Sequence, residues 1–235
     1  MRQLGEEIVI VALGDDGNPQ GPIFFLSYAR ARSPRTSSAS PHDVNRHVVR
    51  FFDDLSMNVD QLVGSPTGVD PGYMDESLES GTKWDRELLA VLGTCHVFVP
   101  LISSRYVNNS KWCPMEWDAF SRRTARTIPG RPSDLSQSGT AILPVTWSPV
   151  QDQLPQTVQE LQFFLPKRLK DRDIAERYRE NGIFGLLATD DMDAYGKVAW
   201  SLARRIADVY YAYQVEPMIL SDSGHLCDSF WGDGR

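Results

Sequence analysis

Glu116 is the residue whose setting in this chain best suits chemistry. It closes the run Trp112-Cys113-Pro114-Met115-Glu116, which follows a polar turn. That turn follows the apolar run His96-Val97-Phe98-Val99-Pro100-Leu101-Ile102. A carboxylate held beyond a strand end can stabilise positive charge that develops in a reaction and can orient an attacking group. The same residue has a structural reading. With Pro114 at the first helical position, Glu116 is the third, where glutamate closes a cap and suits the helix dipole. On spacing alone the cap is the better fit, and the surrounding Trp-Cys motif points toward function. Other chemistries find less support. Cys113 has no histidine near it in sequence to activate a thiolate, and reads as a packing residue. His96 opens a buried strand and reads as structural, and Ser103 and Ser104 read as turn residues. The three cysteines, Cys95, Cys113 and Cys227, are odd in number and not closely paired, which suits reduced thiols more than a disulfide framework. No CxxC or HxxxH occurs and His42 and His47 are poorly spaced for one helical face, so no metal site is expected. Gly14-Asp15-Asp16-Gly17 lacks the Gly-Lys-Ser/Thr ending of a phosphate loop.

The elements that must position Glu116 can be read from periodicity. Ile23-Phe24-Phe25-Leu26-Ser27-Tyr28 is a continuous apolar run of the kind buried on both faces of a parallel sheet. Val44, Val48, Phe51, Phe52, Leu55, Val59 and Leu62 recur at helical spacing, predicting a long amphipathic helix. Tyr73-Met74-Asp75 is a short strand candidate. Thr82 caps a helix striped by Trp84, Leu88, Leu89 and Leu92, and the strand at 96–102 follows. Trp117 and Phe120 face the core from the helix carrying Glu116. Ala141 to Trp147 reads as a strand shortened by Pro144. The run Lys167 to Arg179 is helix-prone, Ile183 to Leu187 reads as a last strand, and Met192 to Tyr213 is a long final helix. The segments 31–42, 63–72 and 127–139 read as loops, and 150–166 as a loop with one short helix. Alternating strands and helices imply a parallel sheet with helices on both faces. Ligands of such sheets sit beyond the carboxyl ends of the strands. Arg30, Asp75 and the 103–112 turn all follow strand ends and should gather on one rim.

Taken together and in order, these motifs resemble the TIR (Toll/interleukin-1 receptor) domain family. Phe24-Phe25-Leu26-Ser27-Tyr28-Ala29-Arg30 looks like its opening box. Asp75 through Gly81 with Trp84 looks like its second box and BB loop. Ser103, Arg105, Tyr106, Ser110 and Trp112-Cys113-x-x-Glu116 look like the segment bearing the catalytic glutamate of its NAD-cleaving members. More narrowly, the chain is similar to actinobacterial TIR-like proteins associated with short FxSxx-type peptides. The resemblance covers about residues 22–213, leaving 1–21 as an N-terminal extension and 214–235 as a C-terminal tail. The family's third box is only loosely echoed by Phe184-Gly185. The resemblance implies a flavodoxin-like α/β three-layer sandwich with a central, mainly parallel five-stranded sheet. It implies NAD as substrate, with no separate cofactor, and Glu116 as the catalytic carboxylate. Tyr28, Arg30, Asp75, Trp84 and Trp112 would line the substrate site, with Arg30 on a phosphate or ribose hydroxyl and Trp84 stacked on a base. It also implies self-association involving loop 76–82. The family equally contains members that only dock onto partners or peptides, so a non-catalytic scaffold is the other function expected.

Composition sets outer limits. Hydrophobic residues at 41% and charged residues at 23% suit a globular domain, and no apolar run approaches the ~20 residues of a membrane span. A net charge of −7 opposes general attraction to nucleic acid. The basic clusters Arg122, Arg123, Arg126 and Lys167, Arg168, Lys170 read as solvated helix faces. The opening Met-Arg-Gln-Leu-Gly-Glu-Glu does not look like a signal peptide, and a cytoplasmic location is expected.

Overall fold

The computed structural model describes residues 12–13, 19–31, 45–65, 69–75, 86–130, 140–166 and 172–232. A short antiparallel pair, β1 (Ala12–Leu13) with β2 (Pro19–Gln20), precedes the central sheet. That sheet is built from β3 (Phe24–Ser27), β4 (Gly72–Tyr73), β5 (Val97–Ile102) and β7 (Val145–Thr146). It is four-stranded in the order β4-β3-β5-β7, and each adjacent pair is parallel. Phe98 and Ile142 add an isolated parallel bridge.

The connections are helical. They are α1 (Arg46–Val63), α2 (Arg86–Thr94), α3 (Ser104–Asn108), α4 (Trp112–Ser121), α5 (Gln156–Gln159), α6 (Arg172–Ala188) and α7 (Met192–Ala212). A second antiparallel pair joins β6 (Ala125–Thr127) to β8 (Tyr213–Val215). The protein is thus an α/β fold with a parallel central sheet, an arrangement consistent with the flavodoxin-like class.

Every residue of β3 and of β5 is buried, so each strand must present apolar atoms to both sides. Register decides which side chain meets which layer. Phe25 lies opposite Phe98 and Tyr73, and stacks on both rings at 5.7 Å. Phe98 in turn meets Trp117 and Phe120 of α4. Phe24, one residue earlier, faces the other layer, where its ring is 5.9 Å from Phe52 of α1. Side chains alternate along a strand, so Ser27 shares the face of Phe25 and points to the α4 layer.

The opposite layer is α1, α6 and α7. The apolar stripe of α1, Val48, Phe51, Leu55 and Val59, is buried, and Phe51 touches both Trp147 and Tyr195 of α7. The spacing-based expectations for both long helices hold.

The expected strand at 183–187 is instead the second half of α6. Ile183, Leu186 and Leu187 are buried while Phe184 is 42% exposed, which is helical spacing. A short apolar run does not distinguish strand from helix by itself. Gly182 makes the difference. Its φ of 64° and ψ of −178° kink the helix, a conformation essentially confined to glycine. The kink lets the Phe184 amide donate to the Trp147 carbonyl at the end of β7. The fifth strand of the sheet is therefore not found among the described residues.

Arg123 also departs from expectation. It is only 8% exposed and donates to the carbonyls of Leu92, Cys95 and Glu216. It ties the end of α2 to the chain beyond β8 and is not part of a solvated face. Arg122 and Arg126 do lie at the surface, paired with Asp118 and Glu216. Lys167, Arg168 and Lys170 lie outside the described residues.

A Cβ on Gly182 would meet the Trp147 carbonyl. Gly182→Ala is expected to lower stability by about 1–3 kcal/mol, read as a fall in the urea midpoint. Gly196→Ala in α7, where a Cβ meets nothing within 4 Å, should instead leave it unchanged or raise it by up to about 1 kcal/mol.

Candidate functional site

The parallel sheet brings the carboxyl ends of β3 and β4 to one rim, beside α3 and α4. Asp75 lies two residues beyond β4, and Arg30 three residues beyond β3. The Arg30 guanidinium donates to the Asp75 side-chain oxygen Oδ2 at 2.8 Å and to its carbonyl at 3.0 Å. The Tyr28 hydroxyl donates to the same carbonyl at 3.4 Å. The Arg30 and Asp75 side chains keep 33% and 25% of their surface in solvent. The ion pair is therefore a geometric clamp between strand ends more than a large source of stability.

Glu116 lies near enough to feel both charges of this pair and is only 6% exposed. Helix α4 begins at Trp112, and no acidic residue occupies its first turn. The capping interpretation of Glu116 is thereby overturned: the residue sits past the first turn. The cap-like bond comes from Ser110, whose hydroxyl accepts from the Cys113 amide at 3.1 Å. The Glu116 carboxyl instead crosses to β3, where the Ser27 hydroxyl donates to Oε2 at 2.5 Å. The Tyr106 hydroxyl of α3 lies 2.8 Å from the Ser27 Oγ. Ser27 has one proton to give. When it donates to Glu116, the Tyr106 hydroxyl must donate to Ser27. The result is a one-way chain, Tyr106 to Ser27 to Glu116, across three elements.

Burial dominates the electrostatics. It pushes the Glu116 carboxyl up from 4.5 to about 8. The Ser27 hydrogen bond opposes the rise, the Asp75 charge adds to it and the Arg30 charge opposes it. Arg30 and Asp75 act on Glu116 in opposite directions, and desolvation prevails. Burial also raises the Tyr106 phenol and the Cys113 thiol well above their ordinary values. Cys113 is thus a packing thiol. Cys95 is likewise buried, its thiol pushed up to about 12, with the Arg123 charge opposing. His96 is held neutral by burial, with Nε2 2.6 Å from the Tyr213 carbonyl and its ring 4.7 Å from Tyr210. The structural reading of His96 is the one its surroundings support.

Of the residues singled out from sequence, Tyr28, Arg30, Asp75 and Glu116 come together. Trp112 opens α4 one turn ahead of Glu116, half-buried, with the Lys111 ammonium 4.4 Å over its ring. Trp84 and loop 76–82 lie outside the described residues. Ser27 was not singled out as functional, although its place in an apolar strand was a signal, and Tyr106 had none beyond its place in the motif that follows β5. Ser27 is the one polar residue in a strand buried throughout, and Tyr106 is a fully buried phenol. Such groups need hydrogen-bond partners. Among the described residues no group of His, Cys, Asp and Glu is placed to hold a metal ion, and no helix is long and apolar enough to cross a membrane.

The chain matches no protein-family model, and a search of curated proteins finds no significant match.

Between pH 4.5 and about 8 the folded chain keeps a Glu116 proton that the unfolded chain has released. Stability is therefore full below the lower value and is lost as pH rises through the upper one. Glu116→Gln, which cannot ionise, should lose less stability than wild type between about pH 5 and about pH 9, by on the order of a few kcal/mol. Denaturant midpoints across that range check this, and parallel profiles would show that Glu116 ionises freely in the fold. Ser27→Ala removes the donor that favours the charged form and should move the Glu116 midpoint further up, as read by carboxyl carbon NMR.

Proposed function

We propose that this chain is a TIR-type enzyme that cleaves NAD at its nicotinamide–ribose bond, with Glu116 as the working carboxylate. The observation that carries the reading is the placement of Glu116. It is buried at the carboxyl rim of a parallel sheet, hydrogen-bonded to Ser27, and beside the Arg30–Asp75 pair. The ordered set of motifs from Phe24 to Glu116 supports the same assignment.

The chemistry suits those residues. Nicotinamide departs as a neutral group, so the reaction needs no strong acid. Positive charge accumulates on the ribose as the bond opens. A carboxylate in a desolvated site interacts with that charge far more strongly than one in water. Burial outweighs the Ser27 hydrogen bond and favours the protonated Glu116 at neutral pH. A cationic nicotinamide nucleotide beside it favours the charged form, so substrate binding would draw off the proton. Ser27 then holds the ionised carboxylate in one orientation, and the carboxylate can orient water or an attacking adenine nitrogen. Arg30 and Tyr28 stand on the rim above, where a phosphate or ribose hydroxyl would pass. Self-association through loop 76–82 would complete the site from a neighbouring copy and make activity depend on assembly, in keeping with a role in bacterial signalling or defence.

One observation favours the other reading, a TIR scaffold without catalysis. The Glu116 carboxyl is almost wholly covered and already bonded within the chain, as a structural buried acid would be.

The deciding measurement is NAD consumption at high protein concentration, with and without a crowding agent, for wild type and Glu116→Ala. Turnover by wild type with a loss of at least about 100-fold in the variant is expected, and the mobility of the product separates hydrolysis from cyclisation. No turnover from protein shown to be folded and assembled would replace the enzyme with the scaffold.

A further inference from the structure

The chain beyond β8 is a strap laid over the helices that carry the site. It starts at Glu216, whose amide donates to the Thr124 carbonyl. Met218 donates to the Gly93 carbonyl of α2 at 2.9 Å. The strap then runs back along α4. Arg122 donates to the His225 carbonyl, and the Cys227 amide donates to Asp118 Oδ2 at 2.9 Å. Its end reaches α3, where the Trp231 indole donates to the Val107 carbonyl at 3.1 Å and to Asn108 Oδ1 at 3.0 Å. Between these anchors Phe230 lies against two rings. It stacks on Tyr106 with centroids 5.8 Å apart and meets the Trp117 ring edge-on at 5.6 Å. Most of the strap is exposed, Phe230 and Trp231 are half-buried, and the rings of Tyr106 and Trp117 beneath it are buried.

We propose that Phe230 is a positioning residue for Glu116. Its ring fixes the Tyr106 ring, the Tyr106 hydroxyl holds the Ser27 Oγ, and Ser27 holds the carboxyl, so docking of the strap sets the geometry of the site. The strap thereby couples the outer face of α3 and α4 to a carboxylate that it does not touch. A partner that lifts residues 226–231 would loosen Tyr106 and admit water toward Glu116. The proposal rests on Glu116 being the working carboxylate, and not on which bond that carboxylate helps to break.

The groups that face Glu116 are Ser27 from β3, Tyr106 from α3, Cys113 from its own helix, and Arg30 and Asp75 from the strand ends. None of them belongs to the strap, so any effect of Phe230 on Glu116 must pass through packing. Releasing the strap has opposing effects. It weakens a donor chain that favours the charged form, and it admits water to a carboxyl whose main perturbation is burial. Solvation is the larger of these.

The test is a carboxyl carbon NMR titration of Glu116 in the 235-residue chain without substrate, with the resonance assigned by its loss in Glu116→Gln. Phe230→Ala should lower the titration midpoint by about half a unit or more. In a Tyr106→Phe background, which keeps the ring stack and removes the hydroxyl, the opposing loss of the donor chain is absent, so the same change should lower the midpoint further than in the wild-type background. An unchanged midpoint in both backgrounds, or equal shifts in both, would overturn the proposal. Trp231→Ala, which frees the end of the strap from α3 without removing the stacked ring, gives the same readout if Phe230→Ala does not fold. Because no NAD enters the experiment, this proposal and the glycohydrolase reading can fail separately.

Discussion

The pairing of β3 with β5 is the constraint from which the rest of the architecture follows. Both strands are buried along their whole described length, and a sheet centre without water requires cover on both faces. Helices α1, α6 and α7 supply one cover and α2 and α4 the other. Once Phe25 and Phe98 are stacked, the pleat leaves no freedom in where Ser27 points: it must face α4. A hydroxyl there has no solvent and needs a partner, and the partner is Glu116. The carboxylate that attracts a functional reading is thus also the group that satisfies the last residue of the central strand.

That double role explains the balance of forces at the site. A buried acid with one strong donor and a nearby ion pair could be stabilised in either protonation state. Here the two charges of the ion pair act in opposite directions, with Arg30 and Asp75 bound to each other at 2.8 Å. One hydroxyl donor does not offset the loss of water around a carboxyl that is 6% exposed. Desolvation consequently favours the neutral acid. Buried acids of this kind cluster at functional sites, although structural acids share the same physics.

The strap adds a further layer to that arrangement. The sequence beyond β8 has weak periodicity, and the order of residues 216–232 comes from anchors placed far away in sequence: Arg123, Asp118, Val107 and Asn108. Arg123 is the most demanding of these. A guanidinium that is 8% exposed and bonded chiefly to carbonyls gives up hydration that neutral acceptors only partly replace. Its bonds join α2, α4 and the strap, so the folded tail and the site helices share one set of contacts.

Local pattern determined much of this molecule. The continuous apolar runs at 23–28 and 96–102 specified buried strands, and the stripes of α1 and α7 specified helices, because those periodicities follow from backbone geometry alone. The order of elements specified a parallel sheet, and with it the rim where Tyr28, Arg30, Asp75 and Glu116 gather. Tertiary structure decided what spacing leaves open. Whether Ile183 to Leu187 is strand or helix depends on a left-handed turn at Gly182 and on the Trp147 carbonyl it approaches. Whether Glu116 caps its helix depends on where α4 starts. That Ser27 and Tyr106 form a chain to Glu116, and that Phe230 lies against it, depends on contacts between residues 79 to 89 positions apart or more. Such contacts carry no periodicity, because they are set by how the layers pack and not by how any one segment repeats.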